Sequence, residues 1–209
     1  MKIAAAALAL FAGAAVAQES KSAAYHFGTL PKHTNITFVS ETSVETIHGV
    51  THSVAGKADL DLGKGEGTAE LTIPVKSLDT GIPTRNEHLQ SAGWMDEAKH
   101  PDIVFRAKSL KREKADEKTG KETWSYEGDL SIHGVTKALK GEASVQPIPA
   151  DLAKILGPGE WVKVKASFDV TLADFDIKIP DGVGPKVSAT WTIGVDIYGT
   201  TVIPEKKAK

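Results

Sequence analysis

Long runs of alternating apolar and polar residues dominate the sequence and restrict what it can fold into. Between Val162 and Leu172 every second residue is apolar, and the residues between them are lysine, serine, aspartate or threonine. The same period of two recurs in residues 58–62, 123–132 and 191–197. Because this period places successive side chains on opposite faces of a β-strand, the sequence predicts antiparallel strands with one apolar and one charged face.

Turn signals rich in glycine or proline separate these runs, as in residues 63–67, 118–120, 157–159 and 181–182. About eight strands in sequence order form a meander, which closes into a barrel or stacks as a sandwich. Several runs extend over about ten residues against the usual five or six, which favours a curled barrel. We therefore predict an all-β fold, an antiparallel up-and-down barrel of about eight strands, with a sandwich as the alternative.

The tetrapeptide HGVT occurs twice, at residues 48–51 and 133–136. In both places alternating sequence leads into it and resumes after it, which predicts a tight turn at the glycine. An internal duplication would also explain the two copies.

One long polar segment, from Ser77 to His100, interrupts the strand pattern, and we call it the crossover. Pro83 suits the first position of a helix, and residues 84–92 can form about two turns, with Asp79 or Thr80 as weak caps. A second short helix is predicted at residues 150–156. Connections of this length in a compact β-domain are typical of lids and binding loops.

A helix in the crossover would place Arg85, His88 and Leu89 on one face. This face could gate a ligand cavity. Alternatively, the helix plugs one end of the barrel through Leu89, Trp94 and Met95, while its two basic residues stay in solvent. The sequence leaves both interpretations open.

The N-terminus has the features of a secretory signal peptide. Lys2 precedes an apolar run from Ile3 to Val16, and residues 15–17 read Ala-Val-Ala. We therefore predict a signal peptide over residues 1–17, a single domain over residues 18–209 and a periplasmic location. The complete absence of cysteine fits an exported bacterial protein held together without disulfides. No later segment has 18 consecutive apolar residues, so no membrane span is predicted.

Composition and motifs exclude several functions. A formal net charge of −2 offers no basic surface for nucleic acid. His48 and His52 flank a predicted turn, and HExxH motifs and cysteine–histidine clusters are absent, so no metal site is predicted. Without cysteine or a G-x-S-x-G motif, no catalytic nucleophile is predicted either. Asp174 and Asp176 would share one face of a strand, and their role stays undecided.

Several ordered motifs resemble the signature of the YceI-like family of bacterial, mostly periplasmic, polyisoprenoid-binding proteins. They are SLDTG at residues 77–81, RNEHL at 85–89, KHP at 99–101, IVF at 103–105 and GDLSIHGVTK at 128–137. The resemblance extends over about residues 24–202. It implies a lipocalin-like barrel whose apolar interior holds an isoprenoid, a quinone-like molecule or a fatty-chain amphiphile without covalent attachment. It implies no other cofactor and no enzymatic activity.

The expected partner is thus a long-chain lipid or quinone. The alternative is an enzyme acting on such a lipid, for which His88 and the region of Asp174 and Asp176 would be the residues to test. A homodimer and a membrane partner that handles quinone or lipid are both compatible with the sequence. The predicted ligand-binding residues, in the cavity or at its mouth, are Phe38, Leu60, Arg85, His88, Leu89, Trp94, Met95, Phe105, Trp124, Tyr126, Phe168 and Trp191.

Overall fold

Ten β-strands and two α-helices make up most of residues 22–203, the part of the chain that the computed structural model describes. The predicted signal peptide lies outside the described residues. The strands are β1 (Ala23–Phe27), β2 (Asn35–Glu41), β3 (Thr46–Thr51), β4 (Ala55–Asp61), β5 (Glu66–Pro74), β6 (Asp102–Asp116), β7 (Lys121–Ile132), β8 (Val135–Ile148), β9 (Trp161–Thr171) and β10 (Thr190–Thr200). The helices are α1 (Pro83–Gln90) and α2 (Ala150–Leu156), and short 3₁₀ turns occupy Pro31–His33, Val75–Ser77, Leu172–Phe175 and Gly184–Lys186.

The strands form one antiparallel sheet that closes on itself. Its order is β1-β4-β5-β6-β7-β8-β9-β10-β2-β3, and β1 also pairs with β10. Since β1 and β2 pair with opposite ends of β10, together they occupy one strand position of the barrel. β3 pairs with β2 and β4 pairs with β1, so these two strands together occupy the next position. The result is the predicted closed eight-stranded antiparallel barrel, and the sandwich alternative is wrong.

Apolar side chains gather in two clusters at opposite ends of the barrel. The closed end is packed around Tyr25, Trp124, Val162 and Ile197, each no more than 1 % exposed. The other end, which we call the mouth, is covered by the crossover and by residues 172–187. None of the helices within residues 22–203 is long and apolar enough to cross a membrane.

The two predicted helices are confirmed, but the predicted caps are not. Pro83 is the first residue of α1, whereas the N-cap position is Ile82 and no side chain caps it. Asp79 and Thr80 instead hold the turn before the helix. Asn86 Nδ2 donates to Asp79 Oδ1 over 2.7 Å, and the Thr80 amide donates to Asn86 Oδ1 over 2.8 Å.

The two HGVT copies adopt different structures. The copy at residues 133–136 makes the predicted tight turn, with φ of 52° at His133 and 76° at Gly134. The prediction for residues 48–51 is wrong, because these residues lie within β3. Gly49 allows a close contact between the two strands there, since the ring of Phe38 from β2 lies directly over it.

Candidate functional site

The interior of the barrel holds an apolar cavity of about 200 Å³. Residues of the barrel strands line it, together with Leu78 and Met95 of the crossover and with Leu172 and Ile177, which follow β9. No charged residue contributes to this lining, and Thr37 and Tyr126 are its most polar members apart from the indole nitrogens. The charged residues of the alternating pattern lie on the outer wall, as the ion pairs Arg106–Glu70 and Lys108–Asp129 illustrate.

Glycines opposite aromatic residues help to keep this interior open. A Cβ atom on Gly49 would lie 2.0 Å from Phe38 Cζ, one on Gly141 would lie 2.6 Å from the Tyr126 hydroxyl oxygen, and one on Gly199 would lie 2.8 Å from Phe27 Cζ. Each aromatic residue is the direct cross-strand partner of its glycine. Because each ring occupies the space that a side chain on its partner residue would need, less of the interior is filled. An eight-stranded barrel otherwise has an interior that side chains can fill.

Two polar groups in the cavity wall have no hydrogen-bond partner within the described chain. They are the Tyr126 hydroxyl and the indole Nε1–H of Trp191, both buried. Burial raises the pKa of Tyr126 above its usual value, so its hydroxyl keeps its proton. Two hydrogen-bond donors are therefore available to an acceptor inside an otherwise apolar space.

A second and wider pocket of about 580 Å³ lies outside the mouth. Its walls come from β3, from the crossover and from residues 180–187. β3 contacts the crossover through a β-bridge, in which Val50 and Asp79 exchange two backbone hydrogen bonds of 2.8 and 2.9 Å. The hydroxyl oxygens of Thr51 in β3 and Ser77 in the crossover also form a hydrogen bond, 2.7 Å long. Arg85 of the crossover forms an ion pair 2.7 Å long with Glu45, the residue before β3, and both side chains line the outer pocket.

Stacked aromatic rings separate the outer pocket from the inner cavity. Phe38 and Trp191 line both spaces, and their ring centroids are 4.9 Å apart with an angle of 15° between the ring planes. Trp94 from the crossover also stacks on this indole, with ring centroids 6.4 Å apart. We call these three rings the aromatic partition.

All of the residues predicted from the sequence lie in one of these two spaces. The inner cavity is lined by Phe38, Leu60, Met95, Phe105, Trp124, Tyr126, Phe168 and Trp191. The outer pocket is lined by Arg85, His88, Leu89 and Trp94, and again by Phe38 and Trp191. Leu89 is buried and His88 is exposed, so α1 both covers the mouth and presents polar groups to the pocket. Ligand binding by these residues stays a prediction.

The residues suspected in the enzyme alternative do not come together at either space. Asp174 and Asp176 were expected on one face of a strand, and this is wrong. They lie in and directly after the 3₁₀ turn Leu172–Phe175, where Asp176 has a left-handed backbone. Both are exposed and neither lines the cavity or the outer pocket, whereas His88 lines the outer pocket.

A third group of side chains, which the sequence analysis missed, meets beside the mouth. Asp96 and His100 come from the end of the crossover and His133 from the β7–β8 turn, and their potential ligand atoms all lie within 4.8 Å of one another. Asp96 is buried. Its hydrogen bond from Lys99, together with the positive charge of that lysine, lowers the pKa of Asp96 below the usual value. Only the motifs KHP and HGVT marked these positions, and neither indicates that they are neighbours in space.

Sequence comparison identifies relatives over most of the chain. The family model described as YceI-like domain matches residues 27–198. A UPF0312 protein of Pseudomonas savastanoi pv. phaseolicola is 29% identical over 198 residues, which is 92% of this chain and 93% of the relative. A UPF0312 protein of Ectopseudomonas mendocina is 29% identical over 185 residues, covering 85% and 88% of the two chains.

Solved structures show the same fold at low sequence identity. A polyisoprenoid binding domain from Saccharophagus degradans superimposes with a TM-score of 0.63 at 17% identity and covers 86% of this chain and 99% of its own. Burkholderia cenocepacia BcnA superimposes with a TM-score of 0.62 at 19% identity and covers 81% of this chain and 98% of its own. The Campylobacter jejuni YCEI protein gives 0.61 at 21% identity, with coverages of 77% and 88%.

Proposed function

Because the chain belongs to the YceI-like family, we propose that it binds a long-chain amphiphile in its barrel, namely a polyisoprenoid, an isoprenoid quinone or a fatty-chain lipid. The observation that carries this proposal is the uncharged interior beside an outer pocket whose lining adds charged residues such as Arg85 and Lys186. With the predicted signal peptide, the role is that of a periplasmic carrier that performs no chemistry on its cargo. The fold shared with the polyisoprenoid binding domain of Saccharophagus degradans supports the same ligand class.

The volumes of the two spaces favour an elongated ligand that occupies both. Ligand sites for small molecules usually measure about 300–1,000 Å³. The inner cavity, at about 200 Å³, is smaller than this, whereas the outer pocket, at about 580 Å³, is within the range. A thin chain that runs past the aromatic partition into the cavity, with its polar end outside or at the partition, fits both compartments.

The tail of such a ligand would supply most of the affinity. Burial of one CH₂ group contributes about 0.8 kcal/mol, so each five-carbon isoprene unit contributes roughly 4 kcal/mol before the costs of binding. A neutral hydrogen bond to the polar end adds only about 0.5–1.5 kcal/mol. Binding should therefore depend steeply on chain length and weakly on the headgroup.

The two unpaired hydrogen-bond donors in the cavity wall indicate one further property of the ligand. A buried donor without a partner costs about 1–3 kcal/mol, and Trp191 Nε1 and the Tyr126 hydroxyl are both in this state. A carbonyl oxygen at the level of the partition would accept a hydrogen bond from Trp191. This favours a quinone or another carbonyl-bearing amphiphile over a plain hydrocarbon.

The first experiment identifies what the protein carries. The mature protein is purified from its native host and extracted with organic solvent, and the extract is analysed by mass spectrometry. We expect a long-chain amphiphile in stoichiometric amount. The delipidated protein is then titrated with a prenyl quinone, with binding followed through the fluorescence of Trp94, Trp124 and Trp191, which line the two spaces.

The control ligand is the same quinone ring without its prenyl tail, which should bind at least tenfold more weakly. If no amphiphile co-purifies and added prenyl quinone does not bind, the carrier proposal fails. If the tailless ring binds as well as the prenyl quinone, the burial argument fails. Chemical conversion of the added quinone, lost in His88→Ala, would establish the enzyme alternative instead.

A further inference from the structure

We propose that Asp96, His100 and His133 form a binding site for a divalent transition-metal ion, with Zn²⁺ as the best-suited ion. One carboxylate and two imidazoles offer ligand atoms that all lie within 4.8 Å of one another. The two imidazole centroids are 4.9 Å apart and the rings are inclined at 70°, so the rings are not stacked face to face. The site lies outside the inner cavity and the outer pocket, and the proposal does not depend on lipid binding.

Two of the three side chains are held in states that suit metal ligation. His133 Nδ1 lies 3.2 Å from the carbonyl oxygen of Phe175. With its proton on Nδ1 the ring donates to this carbonyl, and the lone pair of Nε2 is then free for a metal, an arrangement common among histidine ligands. Asp96 Oδ2 accepts a hydrogen bond from Lys99 over 2.8 Å. The Lys99 side chain is 73% exposed, so it can turn into solvent when a cation takes its place.

The backbone is constrained at the same positions. Among residues 22–203, three non-glycine residues have positive φ, and Asp96 (45°) and His133 (52°) are two of them. Conformations of this kind cost about 1–3 kcal/mol and concentrate at functional sites. The turn also packs tightly against its neighbour, because a Cβ atom on Gly134 would lie 2.5 Å from His100 Cε1.

The donor set selects the class of ion. Imidazole nitrogen suits Zn²⁺ and related transition metals, whereas Ca²⁺ and Mg²⁺ prefer oxygen ligands. Two histidines and one carboxylate are a known set for Zn²⁺, in which water completes the tetrahedron. The bound ion would join the crossover to the β7–β8 turn. Since Met95 and Ile132, the neighbours of two of the ligands, line the inner cavity, the ion would fasten the cover of the mouth to the barrel.

The test uses the full chain after removal of metals with a chelator. Zn²⁺ is titrated by calorimetry at pH 7.5, and the unfolding temperature is measured with and without the ion. The variants are His100→Gln, His133→Asn and Asp96→Asn, because asparagine tolerates positive φ better than most residues and should preserve the fold. His48→Asn is the matched control, since this histidine is exposed on β3 away from the site.

We expect one Zn²⁺ per wild-type chain, a rise in unfolding temperature, and affinity at least tenfold weaker in His100→Gln and in His133→Asn. His48→Asn should bind like the wild type, and Mg²⁺ should not compete. Zn²⁺ should also shift the imidazole ¹⁵N resonances of His100 and His133 but not that of His48. Absence of Zn²⁺ binding to the wild type at millimolar concentration would overturn the proposal. Unchanged affinity in a variant that combines His100→Gln, His133→Asn and Asp96→Asn would also overturn it.

Discussion

The substitution Gly49→Ala tests whether a glycine under an aromatic ring shapes the binding space. The new Cβ atom would lie 2.0 Å from Phe38 Cζ, 2.2 Å from Cε1 and 2.6 Å from Cε2. Ordinary contacts begin at 3.4 Å, so the closest ring atom has to move from 2.0 Å to at least 3.4 Å. Because the ring also stacks on Trp191, this movement disturbs the aromatic partition as well.

The expected change in the free energy of unfolding follows from two opposing effects. Overpacking of a buried site costs about 1–3 kcal/mol, whereas alanine in a strand is about 0.5–1 kcal/mol better than glycine. We therefore expect Gly49→Ala to lower the free energy of unfolding by about 1–2 kcal/mol, and to weaken binding of a long prenyl chain. Urea unfolding measures the first effect through the transition midpoint at constant slope.

A double-mutant cycle isolates the cause. Phe38→Leu removes the three ring atoms that the new methyl group would meet, so Gly49→Ala should cost close to nothing in the Phe38→Leu background. Gly194→Ala is the matched control in β10, because its Cβ atom would meet only the hydroxyl of Thr37, at 2.7 Å. Since Thr37 is exposed, its side chain can rotate away, so this substitution should change stability by no more than about 0.5 kcal/mol. An equal cost of Gly49→Ala in both backgrounds would refute the reasoning.

Three further perturbations address the mouth and the cavity. Arg85→Ala breaks the partly exposed ion pair with Glu45. The substitution should lower the free energy of unfolding by less than about 1 kcal/mol but speed lipid release in stopped-flow exchange. Arg106→Ala on the outer wall is the control and should leave the release rate unchanged. Trp191→Phe removes the unpaired indole N–H, so it should weaken binding of a prenyl quinone by severalfold while leaving a prenyl hydrocarbon unaffected; equal losses for both ligands would argue against the hydrogen bond. Hydrogen bonds from Asn86 and Gly81 lower the pKa of Asp79 in the folded protein. The ionised carboxylate therefore stabilises the folded state above about pH 4, and this stabilisation is lost as the pH falls through the lower folded pKa. Asp79→Asn should consequently lose less stability on acidification than the wild type, as measured by urea titrations across this range.

Local sequence was sufficient to predict the strands and their faces, whereas it only favoured a barrel over a sandwich. A period of two in residues such as 162–172 dictates which side chains lie on the same face, whatever the partners of the strand. Pro83 marked the start of α1 because its fixed φ and missing N–H suit the first turn of a helix. The resemblance through the crossover motifs indicated the family, and the family match confirms it.

Local sequence was insufficient wherever a partner from another strand decides the conformation. The two HGVT tetrapeptides are identical, yet one is a turn and the other lies in β3. At residues 48–51 the pairing of β2 with β3 places Gly49 beneath Phe38 and keeps the chain extended. At residues 133–136, β7 and β8 pair with each other up to the turn itself.

The sequence by itself therefore determined an all-β chain whose apolar faces must meet in one interior, because the alternation of side chains is a property of a single strand. The tertiary structure decided that this interior stays partly open, because Phe38 lies over Gly49 and Tyr126 over Gly141 only in the observed strand register. It also brought Asp96 and His100 to His133, which is remote in sequence. Strand register and the meeting of segments that are distant in sequence determine both outcomes. No local sequence pattern encodes either of these causes.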